Sequence, residues 1–310
     1  MERNLRSIFV STCIATSVLM TPVPSFAGKV SNLEAQTEGL VRDRGAADRV
    51  EAGKRLRTLT QRMASSACHI HAGIDVEVSE QSIISGFQEF EVLTNAIVNG
   101  DKNLNILGAE NNAGTLQKVN SLQDGWKKVR PALEALLADA SDQTALSTVY
   151  SEADALLDAS VVLTTALEAQ YANPVELMGS DALLIEVSGS QAMALQRLSY
   201  KACRIWSGYG NEDDLEEVKK YVSQFNFVVQ GLLKGVPEIG VEAAPTQDIA
   251  AKLTQAAEGW DEVSGTLASL ANKEEFQVED ALWLCQMLQQ KTAAMEGVMD
   301  LYTDYSRRVY

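Results

Sequence analysis

Cysteine and histidine come together at one place in this 310-residue sequence, the segment 68–71, Cys-His-Ile-His. Thiolate and imidazole are common ligands of zinc and haem iron. Haem attachment, however, needs two cysteines before the histidine. On a helix, His69 and His71 would point to different sides, because residues two apart do not share a face. Cys68 and His71 alone are too few to hold a metal, so we predict no metal and no cofactor.

The other reactive side chains form no catalytic arrangement. The 42 Asp and Glu residues are spread over what we interpret as solvated helix faces, without a recognisable pair. With only two histidines in the chain, no Ser-His-Asp set stands out. Trp126 and Trp260 are better explained as core anchors than as ligand-stacking residues. The sequence therefore predicts a protein that is not an enzyme.

Composition and charge restrict the partners. The formal net charge is −16, so the chain should repel nucleic acid and anionic lipid. Its 46% apolar content is that of a folded protein and not of a disordered acidic tail. We predict no nucleic-acid partner.

The first 27 residues have the pattern of a signal peptide. Arg3 and Arg6 precede an apolar stretch, residues 8–20. The stretch is followed at residues 25–27 by Ser-Phe-Ala, which resembles the small-residue cleavage site of a signal peptide. The apolar stretch is shorter than the roughly 20 residues that a spanning helix needs. We predict cleavage after Ala27, a periplasmic location and no membrane insertion afterwards. An uncleaved N-terminal anchor is the alternative.

Long runs rich in Ala, Leu, Gln, Glu and Val, with few prolines, predict helices throughout the chain. Between residues 49 and 72, apolar residues recur at spacings of three and four, which places them on one stripe: Leu56, Leu59, Met63, Ala67 and Ile70. Breaks divide the chain into about eight helical segments, four on each side of Asn173-Pro174. We predict an all-α fold of two four-helix-bundle modules, residues 28–173 and 174–310.

The two halves resemble each other at a shift of 135 residues. Residues 61–63, Gln-Arg-Met, align with 196–198, Gln-Arg-Leu, and Cys68 aligns with Cys203. Further matches, the last at a shift of 134, are Phe90 with Phe225, Gly100 with Gly235, and Trp126 with Trp260. One register kept along a whole module, with rare Trp and Cys among the matches, favours internal duplication over coincidence.

Residues 53–64, Gly-Lys-Arg-Leu-Arg-Thr-Leu-Thr-Gln-Arg-Met-Ala, resemble the signature helix of the PilJ-like domain, the N-terminal domain of type IV pili methyl-accepting chemotaxis transducers. The same signature occurs in the sensor domain of nitrate/nitrite-responsive histidine kinases. Residues 122–126, Leu-Gln-Asp-Gly-Trp, with Pro-Ala-Leu at 131–133, resemble a later helix of that sensor. Residues 189–198 repeat the signature more weakly. The resemblance therefore implies two tandem PilJ-like modules.

This resemblance implies a four-helix extracytoplasmic sensor whose first helix helps form a dimer interface and, in the nitrate sensors, holds the anion with arginines. Arg57 matches the anion-contacting arginine, and Arg62 matches the second. In the second copy only Arg197 remains, since Ala192 stands where Arg57 stands in the first. In the first copy, Lys54 takes the position of the family's glycine, and Gly53 is adjacent. A guanidinium offers nitrate or nitrite paired donors in a matching plane. The three arginines are the predicted ligand-binding residues. The alternative is that they pair with acidic neighbours.

A second stripe, small and polar, runs along the first helix and has an equivalent in the second copy. Its members are Arg57, Gln61, Ala64, Cys68 and His71 in one copy and Ala192, Gln196, Ser199, Cys203 and Trp206 in the other. If the copies pack as the subunits of a sensor dimer do, the stripes meet, and Cys68 and Cys203 come within reach of a disulfide. We predict that cross-link. Two separate buried cysteines are the alternative.

Two functions are consistent with these features. The first is a non-enzymatic periplasmic sensory protein that binds a small anion, such as nitrate or nitrite, and reports to a membrane receptor. The second is a structural or protein-interaction module of the cell envelope with a vestigial ligand site. The retained Arg57 and Arg62 favour the first, and Ala192 favours the second.

Overall fold

The computed structural model describes residues 45–171, 179–271 and 277–308. Within these ranges the chain forms α-helices and no strand, which confirms the predicted all-α fold. The helices are α1 Ala46–Ala72, α2 Val76–Asn99, α3 Ala113–Ala138, α4 Gln143–Tyr171, α5 Gly179–Trp206, α6 Glu212–Lys234, α7 Gln247–Ala257, α8 Trp260–Ala271 and α9 Val278–Arg308. The predicted signal peptide and the Asn173-Pro174 step lie outside the described residues.

The helices begin and end where local chemistry requires. Asn112 caps α3, because its side chain accepts from the backbone N–H groups of Gly114 and Thr115. Asn211 and Asp214 form a reciprocal capping box at the start of α6. Gly73 ends α1 with φ at 73°, a left-handed conformation that glycine adopts without strain. None of the described helices is long and apolar enough to cross a membrane.

The helices α1 and α5 form the central pair. α1 packs against α2, α4 and α5, while α5 packs against α1, α6 and α9. In three contacts between α1 and α5, the residue numbers increase along both helices. The Arg197 guanidinium donates to Gln61, Ser65 donates to Ser199, and Cys68 is bonded to Cys203. Because the residue numbers increase together, the helices run parallel, with equivalent stripes facing each other.

Two hydrophobic cores flank this pair. One is built mainly from α1 to α4 and the other from α5 to α9. In the first core, Trp126 stacks on Phe90 with ring centroids 4.3 Å apart; in the second, Trp260 lies against Phe225 at 4.2 Å. Both tryptophans are buried. Equivalent aromatic pairs thus anchor the two cores.

The segment equivalent to α3 is split into α7 and α8, where the sequence predicted one helix. Gly259 interrupts it with φ at 67°. The equivalent Gly125 stays inside the continuous helix α3, where a Cβ would lie 3.1 Å from Leu156. The same Gly-Trp pair therefore lies inside a helix in one half and at a helix break in the other. Local sequence alone does not determine whether the helix is interrupted at this pair.

The loops after α2 and α6 have the same conformation. Gly100 has φ 79° and ψ 156°, and Gly235 has φ 78° and ψ 158°. Each glycine precedes an isolated antiparallel bridge, 101 to 106 in the first loop and 236 to 241 in the second. Residues other than glycine almost never adopt these φ and ψ angles.

Alanine at either of these loop glycines should therefore destabilise the fold. In Gly100→Ala and Gly235→Ala, the new Cβ would lie 2.8 Å from a backbone atom of the same loop. We expect each change to lower the free energy of unfolding by about 2 kcal/mol or more, measured by urea unfolding. Gly265→Ala, in open space on α8, is the matched control and should be neutral or stabilising by about 0.5 kcal/mol. Equal stability of Gly235→Ala and the wild type would contradict the loop assignment.

Candidate functional site

Arg57 lies on α1, buried in the interface with α5. Its Nη1 and Nη2 donate to the two carboxylate oxygens of Glu186 on α5, at 3.0 and 2.9 Å. A bidentate fork of this kind is the geometry in which a guanidinium binds any planar anion. The carboxylate of Glu186 thus occupies the face of Arg57 that a planar anion would use.

Lys54 completes the charge cluster from one turn earlier on α1. Its side chain is fully buried, and Nζ contacts Glu186 at 2.6 Å and also Glu168 of α4. Gly189, which occupies the equivalent position on α5, makes room for it: a Cβ there would lie 3.1 Å from Lys54 Cδ. The glycine and the lysine therefore fit together as a matched pair across the interface.

The cluster shifts the pKa values of its two carboxyl groups in opposite directions. Burial raises the pKa of Glu186, but the Arg57 charge, hydrogen bonds and the Lys54 charge outweigh it and hold the pKa well below its usual range. Burial, followed by the hydrogen bond with Glu186, raises the pKa of Glu168. Glu186 is consequently held in its ionised form between the two cations.

The other two predicted arginines are also ion-paired. Arg62 turns away from α5 and pairs with Glu89 of α2. Arg197 lies in the central interface, where it donates twice to Glu217, at 2.8 and 2.9 Å, and once to Asp154, at 2.7 Å. Arg57 and Arg197 are thus brought to the same interface, separated by Gln61, while Arg62 is not. All three have carboxylate partners.

Cys68 and Cys203 are joined by a disulfide between α1 and α5, with their Cα atoms 6.2 Å apart. The nearby histidines are occupied in other ways. His71 Nδ1 lies 2.8 Å from the carbonyl oxygen of Ala140, and His69 is buried beside Cys285. Among the described residues, no group of three or more Cys, His, Asp and Glu side chains is arranged to hold a metal ion.

The sequence interpretation missed Glu186 and Glu168. Glu186 lies six residues before Ala192, the position equivalent to Arg57, so alignment of the two halves does not pair Arg57 with it. Glu168 comes from α4, outside both signature segments.

The described residues form an all-helical bundle organised around two parallel helices that meet along a small, polar face. Residues 42–151 match the family described as Type IV pili methyl-accepting chemotaxis transducer N-term, PilJ. The resemblance is thus confirmed for this part of the chain, which carries a PilJ domain containing α1, α2, α3 and the beginning of α4. The family is a sensory one. Among curated proteins, none matches the chain significantly.

Proposed function

We propose that this protein is an exported, non-enzymatic interaction module of the cell envelope, located in the periplasm. In this proposal, two PilJ-like modules, residues 28–173 and 174–310, make within one chain the contact that two subunits make in a sensor dimer. The observation that carries the proposal is the bidentate ion pair between Arg57 and Glu186. The arginine that the resemblance assigns to a free anion is held by a carboxylate of the same chain.

Competition explains why a free anion is disfavoured. A tethered group acts as though it were present at about millimolar concentration or more. Nitrate or nitrite would have to displace Glu186 from both Arg57 and Lys54 and leave a partly buried carboxylate beside Glu168. That displacement costs free energy which one additional planar anion does not supply.

Equivalent features in the two halves support the tandem arrangement. The loops at Gly100 and Gly235 share one conformation, and the aromatic pairs of Trp126 and Trp260 occupy equivalent core positions. The parallel pairing of α1 with α5 is the contact that a two-fold sensor dimer would make between its first helices. On this proposal, the chain acts through its outer surfaces on a membrane receptor or another envelope protein.

Anion sensing is the second candidate, and one observation favours it. Two buried donors, Arg57 Nε and Gln61 Nε2, have no acceptor among the residues that the structure describes. They lie one helical turn apart on α1, on the same face. An anion that moved Glu186 aside would find these donors already in place.

Thermal unfolding with nitrate, nitrite and chloride at equal ionic strength separates the two candidates. The wild type should show no nitrate- or nitrite-specific shift, because Glu186 fills the site. Glu186→Gln should show a nitrate- or nitrite-specific shift, since an anion at 100 times its dissociation constant adds about 2.7 kcal/mol of stability. Arg130→Ala, which removes an exposed ion-paired arginine of α3, is the control and should behave as the wild type does. A specific shift in the wild type that disappears in Arg57→Ala would instead establish an anion sensor.

A further inference from the structure

Three cysteines from three different helices lie close together in the fold. Cys68 of α1 is bonded to Cys203 of α5, and Cys285 of α9 is a buried free thiol. Cys203 and Cys285 both line a small cavity of about 20 Å³, together with His69. A space of this size holds about one water molecule. The free thiol and one half-cystine of the disulfide therefore border the same space.

The thiol has two hydrogen-bonding side chains beside it. His69 Nδ1 lies 3.4 Å from Cys285 Sγ, and Gln289 Nε2 donates to the same sulfur at 3.4 Å. His69 is buried, and burial lowers its pKa to about 4, so at neutral pH its ring is uncharged and too weakly basic to take the thiol proton. The amide donor of Gln289 would stabilise the thiolate once the proton has been lost to solvent.

The other sulfur of the disulfide, Cys68 Sγ, accepts a hydrogen bond. The Tyr150 hydroxyl donates to Cys68 Sγ at 3.1 Å. In thiol–disulfide exchange, the sulfur that leaves becomes a thiolate, and groups that stabilise this charge favour its departure. The surroundings are thus asymmetric, with the cavity and nucleophile on the side of Cys203 and a donor on the side of Cys68.

We propose that these residues form an internal thiol–disulfide exchange site. Cys285 loses its proton to solvent, and the resulting thiolate attacks Cys203 Sγ. The Cys203–Cys68 bond breaks as the Cys203–Cys285 bond forms, and Cys68 leaves as a thiolate that takes up a proton. One disulfide and one thiol are present before and after, so the step consumes neither oxidant nor reductant.

The exchange changes which helices are cross-linked. The present bond joins α1 to α5, whereas the new bond would join α5 to α9 and release α1 from its covalent link. Burial, and then the charge of Asp75, raise the pKa of Cys285 to about 12. The thiolate is therefore scarce at neutral pH, and exchange should accelerate about tenfold per pH unit as the pH rises toward that value. This inference does not depend on the proposed function.

Trapping with N-ethylmaleimide tests the exchange in the intact, oxidised protein. The protein is incubated with the reagent at pH 7, 8 and 9 without reductant, digested without reduction and analysed by mass spectrometry. We expect alkylated Cys68 together with linked Cys203 and Cys285 peptides, increasing with pH. Tyr150→Phe should slow the formation of this product, and Cys285→Ser should abolish it. Alkylated Cys285 with only the Cys68–Cys203 linkage would overturn the proposal.

The variant Cys68→Ser tests the proximity of the remaining two thiols separately. Mild oxidation of this variant should produce a Cys203–Cys285 disulfide within the monomer, detected by mass spectrometry. Two free thiols after oxidation, in a protein whose circular dichroism is that of the wild type, would show that the sulfur atoms do not meet. That result would also overturn the proposal.

Discussion

Removing the Cys68–Cys203 disulfide, in a Cys68→Ala/Cys203→Ala variant, should lower the free energy of unfolding by about 5 kcal/mol. The bond joins residues 135 positions apart, and a cross-link over so long a loop restricts the unfolded chain strongly. It also ties α1 to α5, the two helices on which both cores rest. The measurement is urea unfolding of the oxidised wild type and the variant at one pH.

A reductant supplies the control for this result. Dithiothreitol should lower the stability of the wild type and of Cys285→Ala, which keeps the bond, but leave the double variant unchanged. A double variant within about 1 kcal/mol of the oxidised wild type would mean that the unfolded chain gains little freedom when the bond is removed.

Local periodicity is enough to predict the helices and the core face of α1. Leu56, Leu59 and Met63 recur at helical spacing, and all three are buried. Comparison of the halves likewise identifies Trp126 and Trp260 as equivalent, and both lie in a core. These features could be predicted because each depends on neighbours along one helix or on repetition within the sequence.

The charge network of the central interface could not be predicted in the same way. Arg57 pairs with Glu186, which lies 129 residues later in the sequence. This ion pair exists only after α1 and α5 have packed in parallel and in register. Lys54 is fully buried, although lysine usually lies at the surface, because Gly189 leaves space for its side chain. Periodicity describes one helix at a time and contains no information on which face of another helix it will meet.

Glu186→Gln should lower the free energy of unfolding by about 3 kcal/mol. Lys54 and Arg57 are 0% and 5% exposed, and the change removes the carboxylate that both contact, which leaves Glu168 as a partner of Lys54. An unpaired buried cation is costly because it has lost its hydration and gained no counter-charge. Glu89→Gln, which removes the partner of the more exposed Arg62, is the matched control, with an expected loss below about 1 kcal/mol.

The same ion pair should also appear in the pH dependence of stability. Because the folded-state pKa of Glu186 lies below its ordinary value of 4.5, the stabilisation is fully present above that value and is lost as the pH falls toward the folded-state pKa. Urea unfolding between pH 3 and 7 should therefore show a shallower acid slope in Glu186→Gln than in the wild type. Parallel slopes would mean that Arg57 and Lys54 do not lower the pKa of Glu186. The Glu186 carboxylate would then not compete with a free anion for these two cations.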